Sequence, residues 1–543
     1  MQAPEILAHE AAPAPSPKGA PRPWWEGRPY VVAMILVAFI PLLYPSFPPL
    51  VDLPGHMGRF QVAATIDTSP YLHQWYSFRW RPIGNMGVDL LVVPLVKYLG
   101  VELATKLVVM SIPPLTVAGM LWVAREVHNR LPPTVAFALP LAFGYPFLFG
   151  FVNFALSMAL AFLGMGLWLR LGRLGRTRLR TAIFIPYSFV VYFCHTVGWG
   201  MMGLMCFSAE AVRQHDRGLS WWKAILTAGF HAAAMAGPVV MMALWRSDAG
   251  GGATTGFWDW ARKGDYLLKV VRDRWKWWDI GAAILFLLLP IAAIVHPRLT
   301  LSRNLFFSFL VVAAAFALLP WKVFGSAYAD MRLVPYGVAL IVLAIRFKRS
   351  TDFKLAGRIA LTGAGFYLLR IAGNMLSLGL AADHQAQIIA ALERMPPGSR
   401  VASMVWAPCS GWPMERESHL PAFTIIKRDS FSNDQWRLAG AALLTVHKPD
   451  SGAFEADASE IVRSPPCRHQ GWYIDTAFSY LKPEAFDYLW IIDAPPIPYQ
   501  LVRDWKTVYS VPGSLLMRKR GASEQLPATP PPETEPYPQA IAR

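Results

Sequence analysis

The chain has 543 residues, 54% of them hydrophobic and only 16% charged, and a mean hydropathy of +0.33. Soluble domains carry about 25% charged residues, so the composition points to a polytopic membrane protein and away from a soluble enzyme. The net charge of +16 fits basic loops beside anionic lipid. No nucleic-acid-binding motif accompanies it, and four cysteines are too few for a disulfide scaffold.

Residues 1–29, rich in Ala and Pro, read as a disordered cytoplasmic tail. "VVAMILVAFIPLLY" (31–44) has no small-residue cleavage site behind it and reads as a retained first helix. Apolar runs near 30–46, 86–99, 102–124, 134–148, 150–169, 181–194, 197–213, 224–245, 278–295, 304–320, 333–346 and 359–380 are candidate spans, given that a crossing needs about 20 residues. "RLGRLGRTRLR" (170–180) holds five arginines and no acid, and "HPRLTLSR" (296–303) and "RFKRSTDFKLAGR" (346–358) are also basic. Placing these inside puts 45–85, 246–277, 321–332 and everything after 380 outside. The parity then requires 86–99 or 134–148 to be re-entrant or merged with a neighbour, for about 11 spans.

The opening loop, 45–85, is too long for a connector. "YPSFPPLVDLPGHMGRF" (44–60) places Asp52, His56 and Arg59 three or four residues apart, on one face if the segment is helical. Pro54 and Gly55 would delay such a helix. Either Asp52 pairs with a nearby arginine in a solvated loop, or it faces a cavity as a general base or charge partner. The loop also carries Arg81 and Asn85, interleaved with Trp75 and Trp80.

Ionisable groups within spans are costly and are functional candidates. Asp89 and Lys97 fall in "GVDLLVVPLVKYLG", and His195 falls at an expected outer turn in "YFCHTVGWG". Asn153 is expected to bond a neighbouring helix. "FGSAYADMRLVPYG" (324–337) sets Asp330 and Arg332 at the head of a span. Arg332 either pairs with Asp330 or clamps a phosphate. In 248–279, glycines 250–252 read as flexible, and Leu267, Val271 and Trp275 among basic residues suggest an amphipathic interfacial helix.

After residue 380 the composition becomes that of a soluble α/β domain, 381–520. "HQAQIIAALERMPPGSRVASMVWAPCSGW" reads as helix, turn and strand, "FDYLWIIDAPP" as a buried strand, and "WKTVYSVPGSLLMRKR" as a hairpin. Cys409 and Cys467 can pair if this part is extracytoplasmic, or remain thiols. Cys194 and Cys206, in apolar runs, read as inert. The tail 521–543 reads as disordered.

This layout resembles the GT-C class of integral-membrane glycosyltransferases. The likeness lies in a first span followed by an outer loop with an early acid ("VDLPGH"), then "NMGVDLLVVPLVKYLGVELATKL", many further spans, and an outer domain entered by "MPPGSRV". It implies a mainly α, GT-C-like transmembrane bundle (30–380) with a C-terminal extracytoplasmic α/β domain, in the plasma (inner) membrane. It also implies transfer of a sugar from a polyprenyl-phosphate donor to an envelope glycan, lipid or protein acceptor. By position, Asp52 would be the acid near the acceptor, assisted by His56. Arg332, with Arg59 or Arg81, would hold the donor phosphate. His195, Asp330, Trp75, Trp80, Asn85 and Asp89 would line the pocket. The paired-acid pattern frequent in the class is missing here, because Leu53 and Pro54 follow Asp52. Metal dependence is therefore open: no cofactor, or a divalent cation. The rival readings are a transporter or flippase for a lipid-linked or anionic solute, and a noncatalytic envelope assembly protein. No internal repeat supports a transporter.

Overall fold

The computed structural model describes residues 22–248, 253–323, 325–348, 353–409, 411–436, 442–456, 461–463, 467 and 472–521. Most of the two terminal tails, and glycines 250–252, lie outside these residues.

Helix α1, Arg28–Val37, leads through a proline-rich stretch into α2, Leu53–Thr65. Helix α3, Gly87–His128, is broken at Gly100, where φ is 73° and ψ is 160°. Glycine adopts that conformation without a Cβ penalty, so the runs at 86–99 and 102–124 are two arms of one bent element. The run at 134–148 is no straight span: a 3-10 stretch, Val135–Phe143, joins the short α4, Tyr145–Leu148, and both are wholly buried. Irregular backbone at membrane depth is tolerated where protein encloses it.

Helices α5 (Val152–Arg173), α6 (Thr177–Cys194), α7 (Thr196–Asp216), α8 (Trp221–Ala232) and α9 (Pro238–Asp248) follow. Then come α10 (Trp260–Leu268), α11 (Lys276–Val295), α12 (Arg303–Leu318), α13 (Val334–Leu343) and α14 (Phe353–Ile389). Among the described residues, four helical stretches are long and apolar enough to cross a membrane: Gly87–His128, Val152–Arg173, Lys276–Val295 and Phe353–Arg394. The pair at Trp221–Met235 and Pro238–Leu244, bent by 64°, would make a fifth, and four shorter apolar helices accompany them. Leu288, Ile291, Ile294 and Val295 on α11 and Leu361, Leu369 and Leu376 on α14 point outward and exposed. Lipid, not water, suits such faces, and the chain is a multi-pass membrane protein.

The expected amphipathic helix ends early. Helix α10 stops at Leu268, and Val271 is buried. The Arg272 guanidinium donates to the carbonyls of Gly411, Trp412 and Pro413 and to the Tyr145 hydroxyl, at 2.7–3.2 Å. The Asp279 carboxylate accepts from the Asp273 amide at 2.9 Å. These bonds hold 269–275 as a turn.

The C-terminal region contains a six-stranded sheet in the order β7-β6-β4-β8-β10-β9. Its strands are β4 (Val401–Trp406), β6 (Ile461–Arg463), β7 (Trp472–Tyr473), β8 (Tyr488–Ile492), β9 (Trp505–Val511) and β10 (Ser514–Lys519). Strands β7, β6, β4 and β8 run parallel, and β10 and β9 add an antiparallel hairpin. All five residues of β8 are buried, as expected for a strand covered on both faces. The first loop interlocks with this region. Strand β1 (Tyr76–Phe78) pairs antiparallel with β5 (Leu444–Val446), Tyr76 opposite Val446. Helix α2 approaches closely: a Cβ at Gly55 would lie 2.7 Å from the Trp436 ring, and one at Gly58 would lie 2.8 Å from Gln435 Nε2. Cys409 and Cys467 are disulfide-bonded, and Cys194 and Cys206 are buried and unbonded.

Candidate functional site

A cavity of about 1040 Å³ opens between the first loop, the heads of several helices and the C-terminal region. Asp52 stands immediately before α2. Its amide donates to the Phe149 carbonyl at 2.9 Å, and its carbonyl accepts from the His56 amide at 3.2 Å. Pro54 does not delay the helix, because the first helical turn needs no amide donor and proline's fixed φ suits it. Asp52, His56 and Arg59 therefore share one face, and all three line the cavity with Asn85, His195 and Arg332.

The cations differ in what they hold. Arg59 donates to both oxygens of Asp89, Nε at 2.8 Å and a terminal nitrogen at 3.1 Å. Asp89, 1% exposed, also accepts from Asn153 Nδ2 at 3.1 Å, while Asn153 Oδ1 accepts from the Val88 amide at 2.6 Å. Arg59 is thus neutralised inside a clamp between α2, α3 and α5, which disfavours the phosphate role expected of it.

Arg332 is 8% exposed and makes no ion pair among the described residues. Its one hydrogen bond, to Ser326 Oγ, is long at 3.4 Å, its Nε has no partner, and its guanidinium lies 4.4 Å from the Phe151 ring centroid. Asp330 does not compensate it. That carboxylate bonds Lys263 Nζ at 3.0 Å and the Met331 amide at 2.9 Å, and it is not in the cavity wall.

Of the remaining expected residues, Asn85 and His195 stay in the cavity wall, and Asp89 does not line it. His195 Nδ1 accepts from the Val197 amide at 3.1 Å, capping α7, and the ring packs edge-on against Phe154. Trp75 is buried in a core cluster beside Phe431. Trp80 is 45% exposed and packs on Phe78, and Arg81 is exposed. None of these last three lines the cavity, so they are not brought to the pocket expected of them.

Several cavity residues escaped the sequence reading. His419 Nε2 lies 4.0 Å from Asp52 Oδ1, and its Nδ1 lies 3.9 Å from Asp434 Oδ2. These separations exceed a hydrogen bond but bring the imidazole between two carboxylates. The rings of His56 and His419 both pack against Trp436, with centroids 4.8 and 4.6 Å away. Burial, then the charges of Arg59 and His419, push the His56 imidazole well below its usual pKa, so it is neutral at pH 7. Its Nδ1 is buried with no hydrogen-bond partner among the described residues. Tyr328 packs on Phe149 at 5.1 Å and on Phe151 at 6.3 Å, giving the cavity an aromatic wall. The one sequence signal was "SNDQ" (432–435), four consecutive polar residues that are at most 1% exposed; burial of such a run is not readable from composition.

Chemically, the site joins two carboxylates (Asp52 and Glu415), three imidazoles, aromatic surface and, in Arg332, a buried guanidinium with no counter-ion in contact among the described residues. No family model and no curated protein matches the chain. Among solved structures it is similar to ArnT from Cupriavidus metallidurans bound to undecaprenyl phosphate, with a TM-score of 0.45 and 10% identity, covering 91% of this chain and 98% of that one. The apo state of ArnT gives a TM-score of 0.45 and 10% identity over 90% and 96%. At that identity and TM-score the likeness carries neither a residue nor a role across.

Proposed function

We propose that this protein is a membrane glycosyltransferase that moves a sugar from a polyprenyl-phosphate donor to an acceptor hydroxyl of an envelope glycan, lipid or protein at the outer membrane face. The observation that carries the proposal is Arg332, a buried guanidinium facing a cavity it shares with Asp52, without an ion-pair partner among the described residues. The Asp52 charge acts on it without touching it; a buried charge with no bonded partner is costly, and a phosphate would supply one.

In the reaction the bond between the anomeric carbon and the phosphate oxygen breaks. Negative charge grows on the leaving polyprenyl phosphate, where Arg332 stabilises it without reorganisation. The acceptor oxygen bonds to the anomeric carbon as its proton passes to Asp52. His419, between Asp52 and Asp434, positions the base. Trp436 and Tyr328 offer faces for sugar or prenyl carbon. The lipid named here is of the kind found bound to ArnT, but the proposal stands on the cavity.

The topology proposed with it has about eleven crossings, the N-terminus inside, and the cavity and the C-terminal α/β region outside. Two features support that orientation. The heads of α5, α7 and α13 meet at the cavity, whereas Arg170, Arg173, Arg176, Arg178 and Arg180 cluster where α5 ends and α6 begins, as cytoplasmic loops require. The bonded Cys409 and Cys467 also line the cavity, and disulfides persist in oxidising compartments.

The test is a glycolipid and glycan profile of membranes carrying wild-type or Asp52→Asn protein at equal expression. Loss of one glycan species in the variant supports the transferase. An unchanged profile refutes it, and counterflow of labelled solute in proteoliposomes would then favour the transporter.

A further inference from the structure

A second polar cluster lies outside the cavity, where the last long helix meets the sheet. His384 is on α14, Asp493 directly follows β8 at its carboxyl end, and Glu417 is on the loop between β4 and the Leu420–Ala422 turn. One ligand atom from each lies within 4.8 Å of the others. His384 Nε2 is 3.1 Å from Asp493 Oδ1. The two carboxylates converge, and among the described residues no lysine or arginine is bonded to either. Arg416, next in the chain, is committed to Asp273 at 2.6 Å and Ser377 at 3.2 Å. Gly513 borders the group: a Cβ there would lie 2.7 Å from His384 Cε1 and 2.9 Å from Asp493 Oδ1, so the glycine keeps open the space beside the pair.

We infer that His384, Glu417 and Asp493 form a binding site for a divalent transition-metal ion, zinc being the best match. One imidazole nitrogen and two carboxylate oxygens make a three-ligand set with a place left for water, and imidazole selects zinc over calcium or magnesium. Ligand atoms about 2 Å from a zinc ion stand a little over 3 Å apart, the separation His384 and Asp493 already have, and the Glu417 ligand atom lies within 4.8 Å of both. The ion neutralises the paired carboxylates. It also ties three parts of the chain together: α14, the end of β8, and the loop that carries Glu415, Ser418 and His419 into the cavity wall. The site is a clamp on that loop, and it takes no part in bond making.

The experiment uses the full chain in detergent, stripped with EDTA and titrated with zinc chloride by calorimetry, with calcium and magnesium chloride as controls. Saturable one-to-one zinc binding is expected, weakened at least about tenfold by His384→Ala and by Asp493→Asn, with neither control ion binding at the site. Hydrogen exchange of the peptides spanning 411–422 is expected to slow on adding zinc to wild type and not to either variant. Absence of saturable binding, binding unchanged in either variant, tighter calcium than zinc binding, or exchange indifferent to zinc overturns the inference. Binding is read without substrate, so its failure leaves the transferase proposal standing, and the reverse holds too.

Discussion

Replacing Arg59 by methionine separates a structural arginine from a ligand-binding one. Arg59 gives two hydrogen bonds to Asp89, at 2.8 and 3.1 Å, with side chains 12% and 1% exposed. Arg59→Met fills most of the same volume but strands the Asp89 carboxylate with only Asn153 as partner. Breaking a buried pair by removing one member costs about 3–5 kcal/mol, and the pair is buried enough for the effect to fall in that range. The double variant Arg59→Met, Asp89→Leu removes both charges and should recover most of the loss, since replacing a buried pair by apolar side chains is often neutral. The assay is reversible unfolding in mixed micelles for wild type, both single variants and the double. A single-variant loss below about 1 kcal/mol, or a double variant no better than the singles, would show that the clamp contributes no net stability and that the assignment of Arg59 to structure is wrong.

Arg332→Met should behave in the opposite sense: stability unchanged or raised by about 1 kcal/mol, because a buried nitrogen without a partner is removed, with transfer falling about 10²–10³-fold. Asp52→Asn should lower turnover about 10²–10⁴-fold with little effect on donor binding, as steady-state kinetics would reveal. His56 should make the protein acid-sensitive. Its folded-state pKa lies well below 6.5, so below pH 6.5 the unfolded chain binds more protons, and stability present above that pH is lost as pH falls toward the folded value. His56→Gln should flatten that slope in unfolding titrations between pH 7.5 and 5.5, where wild type declines. Thiol labelling of denatured, unreduced protein should modify Cys194 and Cys206 only. Replacing Cys409 and Cys467 by serine should cost about 4 kcal/mol, from the chain entropy of a 58-residue separation.

What the sequence made legible was local. The run of apolar residues ending at Asp493 marks β8, and "VYSVPGSLLM" marks a hairpin, because strand and turn chemistry act over a few residues. The shared face of Asp52, His56 and Arg59 follows from helical spacing alone. Asp89 and Asn153 were both candidates, yet nothing local says that Arg59 would be taken by one and braced by the other across three helices. His419, itself beside Asp434 and Trp436, comes within 4.0 Å of Asp52 across more than 360 residues of chain, a closure no window can register. The amphipathic segment misled for the same reason. The period of Leu267, Val271 and Trp275 is helical, but Arg272 is captured by carbonyls about 140 residues away, and tertiary bonds override a short repeat. Conversely, the 134–148 run is apolar enough to span but is buried as irregular backbone, which hydropathy does not distinguish.

The central claim is best tested by measuring how the full chain in lipid nanodiscs binds a polyprenyl phosphate, with wild type, Arg332→Met and Arg59→Met compared by native mass spectrometry. The account predicts that Arg332→Met weakens binding about 10–100-fold, as loss of a charged hydrogen bond to phosphate should, while folded Arg59→Met protein binds nearly as wild type does. Equal binding by wild type and Arg332→Met would contradict it.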